Sequence, residues 1–140
     1  MNNVLFSLAE LINFTKNTKL DVFTSEKIFI ENKNKFKFKK NINFHFAVDE
    51  SIISKANCIM TDVFTSMNDK EDKEILLSKF QVNEKIMSLT DDKSIFMHCL
   101  PAKIGSEVTK EVIKGKKSMV LTQARNRLVA QRGILKWLSI

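Results

Sequence analysis

Short apolar runs alternate with stretches of helical spacing along the whole chain, and this alternation constrains the fold more than any other feature. The runs "LDVF" (20–23), "NINFHFAV" (41–48), "NCIMTDVF" (57–64), "SIFMHCL" (94–100) and "SMVLTQ" (118–123) have the length and apolar content of strands. Between them, "NNVLFSLAELINF", "DESIISKA", "NDKEDKEILLSKF", "VNEKIMSL" and "SEVTKEVI" place apolar residues at helical spacing, and "ARNRLVAQRGILKWLSI" closes the chain as a further helix. Strands separated by helices cannot pair as tight hairpins, so the pattern predicts an α/β fold. It is a Rossmann-like, largely parallel sheet with helices on both faces, in a single domain spanning residues 1–140.

At 140 residues the chain suffices for one ordinary core. No apolar run approaches the roughly 18 residues that a membrane span requires, so no membrane partner is expected. Cys58 and Cys99 lie far apart, without C-x-x-C spacing, which predicts reduced thiols in a cytoplasm, no disulfide and no metal site. The net charge of +7 is concentrated in "KNKFKFKK", Lys33 to Lys40, where lysines flank Phe36 and Phe38. Two readings stay open: an edge strand with solvated lysines, or a surface for single-stranded nucleic acid. No Gly-rich or RNP-type motif accompanies the run, so nucleic acid is not the expected partner.

In parallel sheets ligands gather beyond the carboxyl ends of the strands. That rule directs attention to Asp62–Met67, His98–Leu100 and Gln123–Arg127, which together offer a carboxylate, a hydroxyl, an imidazole, a thiol and a guanidinium. Each also has an ordinary structural explanation. A cysteine in an apolar strand is commonly packing, Asp62 and Asn3 can serve as helix caps, and Arg127 can be a solvated helix residue. The stretch "IFMHCLPAK" (95–103) is the least easily explained, because it sets His98 and Cys99 beside the only proline, Pro101.

Four segments together resemble the ornithine carbamoyltransferases, and specifically the second, ornithine-binding half of that fold. They are "NNVLFSL" at the start, "TDVFTSM" (61–67), "MHCLPA" (97–102) and "QARNRLVAQ" (123–131). The resemblance implies transfer of a carbamoyl group from carbamoyl phosphate to the side-chain amine of L-ornithine, giving citrulline and phosphate without a cofactor. It implies that Asp62 takes the α-ammonium of ornithine, Asn3 its α-carboxylate, and Ser66 with Met67 the rest of the grip. Cys99 would sit by the attacking amine; either its thiol, as catalytic proton acceptor, or the departing phosphate can take the proton that the amine loses. His98, Cys99, Leu100 and Arg127 would contact carbamoyl phosphate, the Leu100 carbonyl orienting its NH₂ and Arg127 stabilising its oxygen.

The sequence also departs from the family pattern. Asn68 stands where Ser-Met is normally followed by Gly, and Arg125-Asn126-Arg127 stands for Glu-Asn-Arg. Neither the Ser-x-Arg-Thr phosphate loop nor a His-Pro-x-Gln segment occurs. The expectation is therefore a truncated, amino-acid-binding half that is inactive alone, from a family whose full-length members form homo-oligomers. In that family the last helix packs on the other half, which predicts an exposed apolar surface along Leu128–Leu138. The alternatives are an ornithine- or amino-acid-binding module without chemistry, and a basic nucleic-acid-binding domain.

Overall fold

Leu5, Leu8, Ala9 and Ile12 recur on one face of a helix, and the computed structural model, which describes residues 3–35, 41–65 and 73–140, folds them as α1 (Asn3–Ile12). The chain continues through β1 (Leu20–Phe23), α2 (Glu26–Asn32), β2 (Ile42–His45), the short turn α3 (Glu50–Ile53) and β3 (Cys58–Thr61). It then forms α4 (Glu74–Leu77), α5 (Glu84–Leu89), β4 (Ile95–His98), α6 (Lys110–Lys114) and the long α7 (Val120–Leu138). Every recorded strand pairing is parallel, β1 with β2 and β3 with β4, in keeping with the α/β class.

The chain divides into two compact units, Met1–Ile52 with Thr65–Phe80, and Ile53–Phe64 with Gln81–Ile140. In the first, α1 buries Ala9 and Ile12 against Val22 and Ile42, with Leu5, Leu8, Leu20 and Phe44 packed around them. The Asn41 side chain ties this core together by donating to the carbonyls of Ile12 (3.1 Å) and Thr18 (3.0 Å). The opposite face of β1 and β2 is polar. There Asp21 accepts from Asn43 and lies 2.8 Å from His45 Nε2 and 3.2 Å from Lys19.

In the second unit Val82, Met87, Phe96, Val108, Val112 and Val120 form the core. Phe96 and Val108 are wholly enclosed, each contributing about 1.5–3 kcal/mol by burial. Segment 82–109 closes on itself: the Val82 amide donates to the Glu107 carbonyl (2.9 Å) and the Thr109 amide to the Val82 carbonyl (3.1 Å). Glu107 is thereby held with its side chain inside.

Two elements differ from the sequence reading. Residues 26–32 form α2 rather than a connection, because Ser25 caps the helix by accepting from the Ile28 amide (3.3 Å) and Ile28 is buried beneath it. The expected last strand, 118–123, is reduced to one bridge between Ser118 and Phe96, after which α7 starts at Val120. The helix wins because residues 120–123 take up its first turn, with the Gln123 amide donating to the Met119 carbonyl (2.8 Å). The lysine-rich run lies partly outside the described residues, at 36–40, and the Ser66–Met67 loop wholly so.

Candidate functional site

β3 and β4 are in register with Thr61 opposite His98. Ile59 and Phe96 share the core face, so alternation places Met60 and Met97 on the other face, and one step past the strands Asp62 and Cys99 follow them. The two residues therefore leave adjacent strands side by side. Asp62 is partly buried, and one of its oxygens accepts from the Val63 amide (2.9 Å). Burial pushes the Cys99 thiol above its ordinary pKa and the negative charge of Asp62 pushes it further, while Arg127 and the Gln123 side chain pull it back.

Arg127 and Gln123 are four residues apart on α7 and so share one helix face. Gln123 accepts from the His98 amide (3.0 Å), and its Nε2 lies 4.0 Å from the Cys99 sulfur. Asp62 and Arg127 thus both lie within electrostatic reach of the Cys99 thiol.

His98 has a different setting from the one expected of a ligand contact. It is buried, with both ring nitrogens engaged inside the protein. The Leu100 amide donates to Nδ1 (2.9 Å), so Nδ1 carries no proton and Nε2–H is the donor to Glu107 (3.1 Å). The ring is therefore the neutral tautomer, and the contact with Glu107 is a hydrogen bond to a carboxylate rather than a pair of full charges. The same Glu107 oxygen accepts from the Lys103 amide (2.6 Å), and its other oxygen is buried without a hydrogen-bond partner.

These bonds clamp the turn 98–107. Leu100 adopts a left-handed backbone (φ 46°), and the Leu100–Pro101 peptide is cis. A side chain at positive φ is unfavourable, so the turn depends on its ties to His98 and Glu107. Leu100 itself stays partly exposed at the strand ends.

Asn3 opens α1 in the other unit and is exposed, and Ser66 and Met67 lie outside the described residues. Glu107 and Gln123 were not singled out from sequence. Glu107 reads there as the start of a helix, and its one signal is an acid nine residues after a histidine across a proline turn. Gln123 reads as the end of a strand. Among the described residues no group of three or more His, Cys, Asp or Glu side chains is gathered as for a metal ion, and no helix is long and apolar enough to cross a membrane.

The model of the aspartate/ornithine carbamoyltransferase Asp/Orn-binding domain matches residues 1–138. The chain belongs to this family. An ornithine carbamoyltransferase from Rhodopseudomonas palustris is 52% identical over 90 residues, covering 63% of this chain and 29% of that protein. The solved ornithine carbamoyltransferase from Pyrococcus furiosus is similar at 32% identity and a TM-score of 0.59, over 83% of this chain and 41% of that one. The enzyme from Gloeobacter violaceus gives 25% identity and a TM-score of 0.64, over 94% of this chain and 45% of that one. The chain thus has the Rossmann-like architecture of these relatives, and the match with the Rhodopseudomonas protein spans under a third of that protein's length.

Proposed function

We propose that this chain is the ornithine-binding half of an ornithine carbamoyltransferase, competent for transfer only when a carbamoyl-phosphate-binding half completes the site. The observation that carries the reading is the emergence of Asp62 and Cys99 side by side on one face of β3 and β4, with Arg127 in electrostatic reach of the thiol.

A free diamino acid must be held by its charged ends before its δ-amine can be aimed. Asp62 takes the α-ammonium, Asn3 the α-carboxylate, and Ser66 with Met67 completes the grip; charge-assisted bonds supply both affinity and direction. The δ-amine attacks the carbonyl carbon of carbamoyl phosphate as a neutral base, forming the C–N bond. The carbon–oxygen bond to phosphate breaks, phosphate departs with the electron pair, and the amine releases one proton.

Cys99 is the acceptor of that proton. Burial and Asp62 raise the thiol's pKa toward that of the amine, which makes the transfer less uphill although it leaves less thiolate at neutral pH. Arg127 stabilises the thiolate and the charge that grows on the carbamoyl oxygen. His98 acts through the turn it clamps, fixing Leu100 so that its carbonyl faces the carbamoyl NH₂.

Titration calorimetry with L-ornithine tests the grip. Asp62→Asn is expected to weaken binding by about 10- to 100-fold, since it exchanges a charged acceptor for a neutral one. Supplying the carbamoyl-phosphate half in trans is expected to restore citrulline formation. Stable association and ornithine binding without turnover would leave a binding module, and no ornithine binding at all would overturn the reading.

A further inference from the structure

β4 needs a neighbour on its outer edge, and it has one for only half its length. The Phe96 amide donates to the Lys117 carbonyl (2.8 Å) and the Met119 amide to the Phe96 carbonyl (2.8 Å). Two residues on, the His98 amide requires the next acceptor, but the chain has turned into α7 and the Met119 carbonyl is taken by the Gln123 amide. A buried amide without a partner costs about 1–3 kcal/mol. The Gln123 side chain supplies the missing acceptor at 3.0 Å, standing in for a strand that has ended.

The His98 amide is a donor only, so it fixes which end of the Gln123 amide faces it. Oε1 turns to β4 and Nε2 is left pointing at the Cys99 sulfur, 4.0 Å away. We propose that Gln123 is a positioning residue of the site, one amide that completes β4 and donates to the Cys99 thiol, so that α7 sets the thiol's direction. The inference deepens the proposed function and rests on it for the role of Cys99.

Among the described residues, the groups that act on the thiol are Asp62 from the end of β3 and Arg127 and Gln123 from α7, whereas the His98 ring turns to the opposite, core face, where Glu107 and the Leu100 amide engage it. Asp62 disfavours the thiolate, whereas Arg127 and Gln123 favour it. Gln123 also fixes the register of α7 over the strand ends, and with it the position of Arg127 one helical turn on.

The test uses the full chain carrying Cys58→Ser, so that Cys99 is its only thiol, with iodoacetamide alkylation followed against pH. Gln123→Leu removes the donor without adding charge and is expected to raise the pH midpoint by about one unit, a roughly tenfold slower reaction near neutrality. Gln123→Glu keeps an acceptor for His98 but sets a carboxylate against sulfur, and is expected to raise the midpoint further. Should the leucine variant fail to fold, the glutamate variant decides alone. An unchanged midpoint in the folded variants, even with lowered melting temperatures, overturns the proposal by leaving Gln123 a purely structural role. Ornithine takes no part in this assay: a shifted midpoint with no ornithine binding would sink the functional reading and leave the positioning role standing.

Discussion

Glu107 is the residue on which the turn after β4 depends most. Glu107→Ala would leave the buried His98 Nε2–H without its acceptor, at about 1–3 kcal/mol, and would take the acceptor of the part-buried Lys103 amide as well. A loss of about 2–5 kcal/mol in urea unfolding is expected, with Glu107→Gln losing less because it keeps an acceptor. Asp21 works differently. Burial pushes its carboxyl up, but hydrogen bonds from His45, Asn43 and Lys19 outweigh that and hold its pKa below the ordinary aspartate value. A carboxyl depressed in the folded state contributes stability that is present above its unfolded pKa and is lost as pH falls through the folded one. Asp21→Asn should therefore be less stable than the parent at pH 6, and the gap should close on acidification below the ordinary aspartate range. A gap that persisted at the acid end would show that Asp21 acts by shape rather than charge. Both residues hold other groups in place, which is why neither stood out in a reading that sought chemistry at strand ends.

Elements were legible where periodicity and caps agreed. α1, β1 to β4 and α5 all lie within the segments read from sequence, and α6 passes the end of its own by one residue, because apolar spacing there decides which face is buried. α5 has in addition an Asn83 cap that accepts from the Ile86 amide (3.1 Å), and Gly115 ends α6 where a Cβ would meet the Glu111 carbonyl at 2.8 Å. α2 was missed because the basic run that follows it obscured the Ser25–Glu26 start signal and the single buried apolar position, Ile28. The expected last strand, 118–123, was misjudged for a subtler reason. "SMVLTQ" has the composition of an edge strand, but a tertiary exchange replaces backbone pairing after Ser118 by the Gln123 side chain. Propensity does not record such an exchange, since it depends on which amide of the neighbouring strand lacks an acceptor. The site followed the same division. The exit of Asp62 and Cys99 from neighbouring strand ends follows from strand order, whereas the place of Arg127 on a helix and the clamp formed by His98, Glu107 and Gln123 required coordinates.

For the molecule as a whole, α7 is the element least accounted for by the fold around it. Val120 is its one buried residue among those described, while Leu128, Leu135, Trp137 and Leu138 are each at least 60% exposed. Leu128, Leu135 and Leu138 fall seven and three residues apart, on one face. An exposed apolar surface of that kind marks a contact or an association hazard, and on the proposed function it is where the carbamoyl-phosphate half docks. The two demands on α7 can be separated by substitution, because its first turn touches β4 and its later turns do not enter the core. Changing Leu128, Leu135 and Leu138 together to Gln should alter stability by no more than about 0.5 kcal/mol per site, as for exposed positions generally. The same triple variant should scatter less light than the parent as concentration rises, and should no longer yield citrulline when the complementary half is supplied. Were it to melt well below the parent instead, the face would belong to the chain's own packing, and the docking role would pass to another surface.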